Sequence, residues 1–174
     1  MNQAFLSGLR ILAVDPASRG LGYVVLEGPD ALIEWGFHNA RDNKDARSIR
    51  YVSALLARYK PDVLVLEEYN GRQRSPRIQT LADEFSKLAR DCGTQVYRIP
   101  RPTVRATLSS KNKYVIAGML AERFPELKPF CPPRRKIWRS EDPRINIFDA
   151  LALAWASIAV WTRDDDGRVA ATGV

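Results

Sequence analysis

The segment PRINIFDALALAWASIAVW, Pro143–Trp161, is apolar on nearly every side when wound as a helix. A surface helix keeps one polar face, so a helix without one has to be buried, here against a sheet. The sheet lies upstream. RILAVDPASRGLGYVVLEG, Arg10–Gly28, is two short β-type runs split by a Pro/Ser/Gly stretch, which reads as a hairpin with Asp15 at the exit of its first strand. Gly28-Pro29-Asp30 turns the chain into a third strand, Ala31–Phe37. VLVLEEY, Val63–Tyr69, is the dense run of a strand covered on both faces, and Gln95–Ile99 is a short fifth strand.

Helical spacing of apolar residues marks the segments between. Asp45–Tyr59 carries Ile49, Val52, Leu55 and Leu56, and a second helix places Ile78, Leu81, Phe85 and Leu88 on one stripe before Gly93 ends it. Pro100 and Pro102 enter a connecting turn that leads to Thr103–Leu108. Lys113–Phe124 is a further helix, and Pro125–Pro143 is a proline-rich, basic loop. The element order predicts an α/β fold: a mixed five-stranded sheet, three antiparallel strands and then α/β units, with helices on both faces. A length of 174 residues suits one domain, expected over residues 1–162, with residues 163–174 as a polar, disordered tail.

Composition narrows the chemistry. No apolar run is long enough to span a membrane, and MNQAFLSGLR lacks the basic start and apolar core of a signal peptide, so none is expected. Cys92 and Cys131 show no metal-binding spacing and fit a reducing cytosol. His38 is the only histidine, which leaves carboxylates to carry any catalysis. The net charge of +7 is mostly arginine excess, and arginine's planar fork suits phosphate, so a polyanionic partner is expected, nucleic acid first.

Three acidic residues end, or lie inside, apolar elements: Asp15, Glu67 and Asp149. Asp15 alone could simply bond turn amides. Three such carboxylates are harder to dismiss, because a buried carboxylate is costly unless paired or metal-bound. Arg144 is the single basic residue between Pro143 and Trp161, so the cheapest partner for three converging carboxylates is a divalent cation, Mg²⁺ or Mn²⁺. Asn146 and Asp142 share the helix face of Asp149 if the helix starts near Pro143. Asp142, just before Pro143, is the expected N-cap, and a metal ligand in the alternative.

ILAVDPASRGLGYVVL, VLVLEEY and INIFDALALAWA resemble the RuvC-type Holliday-junction resolvases of the RNase H-like superfamily, over roughly residues 9 to 160. Asp15-Pro16-Ala17 and Gly22-Tyr23 match the opening pattern, with Ala17 where the family has glycine; Glu67 matches the glutamate that ends the fourth strand, and Asp149-Ala150-Leu151 the closing motif. Asn146 stands where the family has Asp or His. The resemblance implies a crossover-junction endonuclease acting in DNA recombination and repair on four-way junctions. It further implies two Mg²⁺ or Mn²⁺ ions per active site, about 3.5–4 Å apart, bridged by Asp15 and held by Glu67, Asp149 and Asn146, or Asp142.

SSKNKYV resembles the family's Ser-x-x-Lys stretch, so Lys113, with Lys111 beside it, is expected at the phosphate next to the cut, and Arg105 at a basic position near the site. Arg72, Arg74 and Arg77 flank the loop after Glu67, and Tyr69 either stacks on a base or packs. Arg134, Arg135, Lys136, Trp138 and Arg139 form a basic, aromatic-bearing loop that reads as DNA contact or as a solvated loop. Expected partners are branched DNA, a second copy of the chain paired through the Ile78–Leu88 helix, and branch-migration proteins, with no membrane; the expected location is cytoplasmic, at the nucleoid. Two other readings stay open: a cleavage-deficient branched-nucleic-acid-binding protein on the same fold, and a YqgF-type RNA-processing nuclease.

Overall fold

A computed structural model describes residues 6–40, 42–69, 75–134, 138 and 140–171, the last eight by backbone alone. Strands β1 (Arg10–Ala17) and β2 (Gly20–Glu27) form the expected hairpin, closed by Ala17 opposite Gly20. The third strand, β3 (Ala31–Asn39), pairs antiparallel with β2 through an irregularity between Val25 and Leu26. Helix α1 (Lys44–Tyr59) leads to β4 (Val63–Glu68), and α2 (Pro76–Asp91) to β5 (Gln95–Pro100). The chain closes with α3 (Arg101–Thr107), α4 (Lys113–Arg123), a 3₁₀ turn over Pro125–Phe130, and α5 (Ile145–Ala171). The sheet order is β3-β2-β1-β4-β5, with β4 parallel to both β1 and β5. This is the mixed five-stranded sheet that the element order predicts.

Strand alternation sorts the sheet's side chains into two cores. Leu12, Val14, Val25, Leu64 and Leu66 pack with Val52, Leu55 and Leu56 of α1 and with Leu81 and Phe85 of α2. Ile11, Ala13, Val24, Val63, Val65 and Ile99 face the other way, onto Ile116 and Leu120 of α4 and Ile147, Phe148 and Leu151 of α5. Both faces are therefore covered by helices. Continuing the second series by two places Asp15 and Glu67 on the α5 face.

Four sequence expectations need correction. Ile145–Arg163 is in fact long and apolar enough to cross a membrane, with mean hydropathy 1.5; in the fold 67% of it is buried, lying against β1 and β2. Asp149 interrupts the run without shortening it, which is why the run is easily missed by eye. β1 does not stop at Asp15 but runs through Pro16 to Ala17. Proline is tolerated there because the pairing of β1 with β4 ends at Val14, so no second neighbour asks for the missing N–H. The loop after Phe124 contains a 3₁₀ turn because Leu127 is pulled fully into the core. At the other end, α5 extends to Ala171, past the expected start of the tail, and residues 172–174 lie outside the described residues.

Gly22 sits opposite Asp15 in the hairpin, and α5 crosses it so closely that a Cβ would fall into the backbone of Asn146. Glycine is required here by close approach, which sets α5 down beside the strand carrying Asp15. Gly22→Ala should therefore cost about 1–3 kcal/mol, since a rigid backbone cannot yield to the methyl group. A lower urea midpoint with an unchanged m-value would report it; an unaltered midpoint would mean that α5 is free to lift.

Candidate active site

The parallel strands β1 and β4 part company just where their carboxylates begin. Val14 is opposite Leu66, the last pair in the register, and Asp15 and Glu67 follow immediately. A crevice at the carboxyl ends of parallel strands is the usual ligand position in an α/β sheet. Asp15 is 1% exposed and Glu67 4%, and Asp149 of α5 closes the group from above. All three line a cleft of about 630 Å³, together with Asn146 and a rim of Arg105, Lys111, Lys113 and Arg134.

One further residue reaches into this group, and the sequence reading passed over it. Arg101, the first residue of α3, grips Glu67 with both edges of its fork: Nε donates to Oε1 at 3.0 Å and Nη2 lies 2.8 Å from Oε2. Its Nη1 lies 3.5 Å from Asp149 Oδ1. Burial would push the Arg101 guanidinium down, but Glu67, Asp149 and Asp15, in that order, outweigh burial and hold it above its ordinary range. Arg144 is the single basic residue of the closing helix, which made a divalent cation the cheapest expected partner for the carboxylates; a bidentate guanidinium also comes in from the end of β5. Its reach follows from the register of β5 against β4, which local sequence does not specify. Tyr97 and Ile99 alternate onto the α5 face, Ile99 is paired with Glu67, and Arg101 is next in the series.

The donor set suits a hard divalent cation: three carboxylates and an amide oxygen, with neither sulfur nor imidazole. Asn146 donates its Nδ2 to the Pro143 carbonyl at 2.9 Å, which leaves the amide oxygen as the end that could ligate. As placed around Arg101, however, no three His, Cys, Asp or Glu among the described residues stand close enough together to hold an ion.

Comparison with solved structures finds this architecture in RuvC of T. thermophilus in complex with Holliday junction substrate, with a TM-score of 0.67 at 17% identity over 88% of this chain and 96% of that one. The fold is that of a RuvC-type Holliday junction resolvase. The resolvase of fowlpox virus also shares it (TM-score 0.52, 17% identity, 87% of this chain and 99% of that one), as does the yeast mitochondrial resolvase Ydc2 (0.51, 14%, 93% and 85%). No protein-family model and no curated protein matches the sequence.

On this RuvC-type scaffold the remaining expected residues fall into three groups. Lys113 opens α4, where Asn112 accepts the Tyr114 N–H at 3.0 Å and Ser110 Oγ accepts the Asn112 N–H at 3.1 Å, so the Ser-x-x-Lys stretch is the turn that aims Lys113 into the cleft. There Lys113 pairs with Glu141. Arg77 is not in the cleft: its fork is closed on Asp45 of α1. Tyr69 packs beside the α1–α2 core, and Ile78, Leu81 and Phe85 are likewise buried inward, which leaves Thr80 and Glu84 as the exposed face of α2. Arg72, Arg74, Arg135, Lys136 and Arg139 lie outside the described residues, and Trp138 is 77% exposed.

Asp142 is not the N-cap expected from the sequence: α5 begins at Ile145, and the Asp142 side chain closes an Asx turn ahead of it. It accepts the Arg144 N–H at 3.0 Å and holds the Arg144 guanidinium, and it does not line the cleft. The Arg144 side-chain bond, more than the opposing effect of burial, holds the Asp142 carboxyl below its ordinary range. A depressed folded value stabilises the protein above the unfolded pKa, about 3.9, and that stability is lost as pH falls through the folded value. Asp142→Ala should thus cost about 1 kcal/mol at neutral pH, the net worth of a lost hydrogen bond, and the difference from wild type should shrink below pH 4 in thermal melts. Binding of Mn²⁺ should be unchanged in that variant and weakened in Asn146→Ala; the reverse order would return Asp142 to the site.

Proposed function

We propose that this chain is a structure-selective DNA endonuclease that cleaves four-way junctions by phosphodiester hydrolysis. The observation that carries the reading is a set of three sunken carboxylates at the floor of a cleft whose rim is basic. A phosphate backbone fits such a cleft: Arg105, Lys111, Lys113 and Arg134 neutralise it at the rim, and the floor lies where a scissile phosphate would reach. The shared fold with resolvases from three sources supports a junction as the substrate.

Asp15, Glu67, Asp149 and the Asn146 oxygen are the residues that would hold Mg²⁺ or Mn²⁺. Such a cation supplies, when bound, the charge that activates water and stabilises the departing oxygen. The protein's own part is placement. Asp15 is fixed by strand pairing on a core strand, Gly22 lets α5 bring Asp149 and Asn146 alongside, and Lys113, on the wall of the cleft, would meet the charge that builds up on the phosphate. Cuts on opposite strands call for two sites related by a two-fold axis, so the active form in this reading is a homodimer, with the exposed face of α2 as its seam. A second reading has one observation in its favour. Arg101 already pairs with Glu67 and approaches Asp149, which suits a junction-binding protein that no longer cuts.

Asp15→Asn separates the two. It removes a charge and keeps the shape, so junction binding should persist while cleavage falls by at least two orders of magnitude. Wild-type protein that binds but never cuts under Mg²⁺ or Mn²⁺ would favour the second reading, and equal cleavage by the variant would take Asp15 out of the chemistry. Lys113→Ala should lower the single-turnover rate more than the affinity, because one phosphate contact among many adds little to binding. A tenfold loss of affinity with an unchanged rate would make Lys113 a positioning contact only.

A further inference from the structure

We propose that the first turns of α1, together with the tip of the β1–β2 hairpin, form a second phosphate-binding surface, made of Arg19, Lys44, Arg47 and Arg50, that takes a duplex arm of the junction outside the cleft. The proposal rests on the junction-binding reading above and adds where a further stretch of DNA backbone lies. All four side chains are exposed, and among the described residues none of them is paired with an acid. Asp45, the acid in the first turn of α1, is closed on Arg77, which leaves Asp42 as the only other acid between Asn39 and Arg50. Helix stability does not account for these cations. Lys44 and Arg47 lie where the helix dipole disfavours positive charge, and Lys44, Arg47 and Arg50 follow one another at a spacing of three, which makes them like-charge neighbours. A polyanion laid along this face offsets both costs.

Position ties the surface to the cleft. Across the hairpin and β3 the rows run Asp15–Gly22–Phe37, then Pro16–Leu21–His38, then Ala17–Gly20–Asn39. Arg19 lies in the turn just past the last row, and its carbonyl accepts the Ala40 N–H at 2.9 Å. The His38 ring stacks on Tyr51 of α1 with centroids 4.1 Å apart, and Arg47, one turn before Tyr51, adds to burial in holding the His38 imidazole below its ordinary range. The start of α1 is therefore at the same end of the sheet as Asp15 and Glu67. It packs on the opposite face from α4, whose first residue is Lys113. Basic groups thus stand on both sides of the strand ends, and a duplex can run from the cleft rim over the hairpin tip onto α1. From Lys44 to Arg50 the helix rises about 9 Å, a length over which a duplex carries about five phosphate charges.

Equilibrium binding of the full chain to a synthetic four-way junction, measured over a series of salt concentrations, tests this. The variant carrying Arg19→Gln, Lys44→Gln, Arg47→Gln and Arg50→Gln should bind at least about tenfold more weakly at about 0.1 M salt, and its log–log salt dependence should be shallower by about three, since each phosphate contact contributes about 0.9. Arg58→Gln removes one exposed charge from the last turn of α1, at the far end of the sheet, and should leave the slope as it is. Junctions whose arms are cut back to the cleft should bind wild type and the four-fold variant alike. An unchanged slope in the four-fold variant, an equal loss in Arg58→Gln, or a difference that survives on the short-armed junction would each overturn the proposal. If the four-fold variant fails to fold, the single variants decide: Arg47→Gln and Arg50→Gln should each lower the slope by about one, and Arg47→Lys, which keeps the charge, should not. Junction cleavage by the same preparations is scored separately: a chain that binds through this surface and cuts nothing would defeat the nuclease reading and leave the surface intact.

Discussion

Two carboxylates, Asp15 and Glu67, lie almost wholly out of water at the ends of adjacent parallel strands, with Asp149 above them. Like charges so placed are unstable without a cation. Much of the molecule can be read as the means of assembling that group and keeping it compensated. β1 and β4 stop pairing at Val14 and Leu66, which opens the crevice. Gly22 admits α5 at backbone contact. β5 ends by handing Arg101 to Glu67. The apolar length of α5 then anchors the polar group, because its burial against the sheet fixes Asp149 over the strand ends.

Position in the sheet also favours this cleft, rather than a larger one, as the candidate site. A cleft of about 940 Å³ opens at the other end of β4 and β5, bounded by Gly8, Asp62, Gly93 and Trp161. Asp62 is the one acidic residue among those lining it, and its carboxylate is bonded to the Arg10 N–H at 2.8 Å. Size there comes from the gap between the chain's entry into β1 and the end of α2. The smaller cleft has the convergent polar groups that distinguish a binding site from a void.

The fold was largely legible because it rests on periodicity. Dense apolar runs mark β1 and β4, each ending in an acid, and the all-round apolar character of the last helix demands a buried position; that Asp15 and Glu67 share a face follows from the parallel register of the two strands. What escaped was a feature at a boundary. Arg101 lies between Pro100 and Pro102, a context that reads as a turn, and its role depends on the register of β5 against β4, which local sequence does not specify. The misread capacity of Ile145–Arg163 to cross a membrane has a similar origin: length and hydropathy are shared by membrane spans and core helices, and only the packing partner separates them.

Selectivity for a branched substrate is tested most directly by strand mapping of the products from a synthetic four-way junction beside a linear duplex of the same sequence. Wild-type protein with Mg²⁺ or Mn²⁺ should introduce paired nicks at symmetry-related positions on two opposing strands of the junction, yielding nicked duplexes that ligase can seal, and should leave the linear duplex intact. Equal cutting of both substrates, or a single unpaired nick scattered among the four strands, would contradict it.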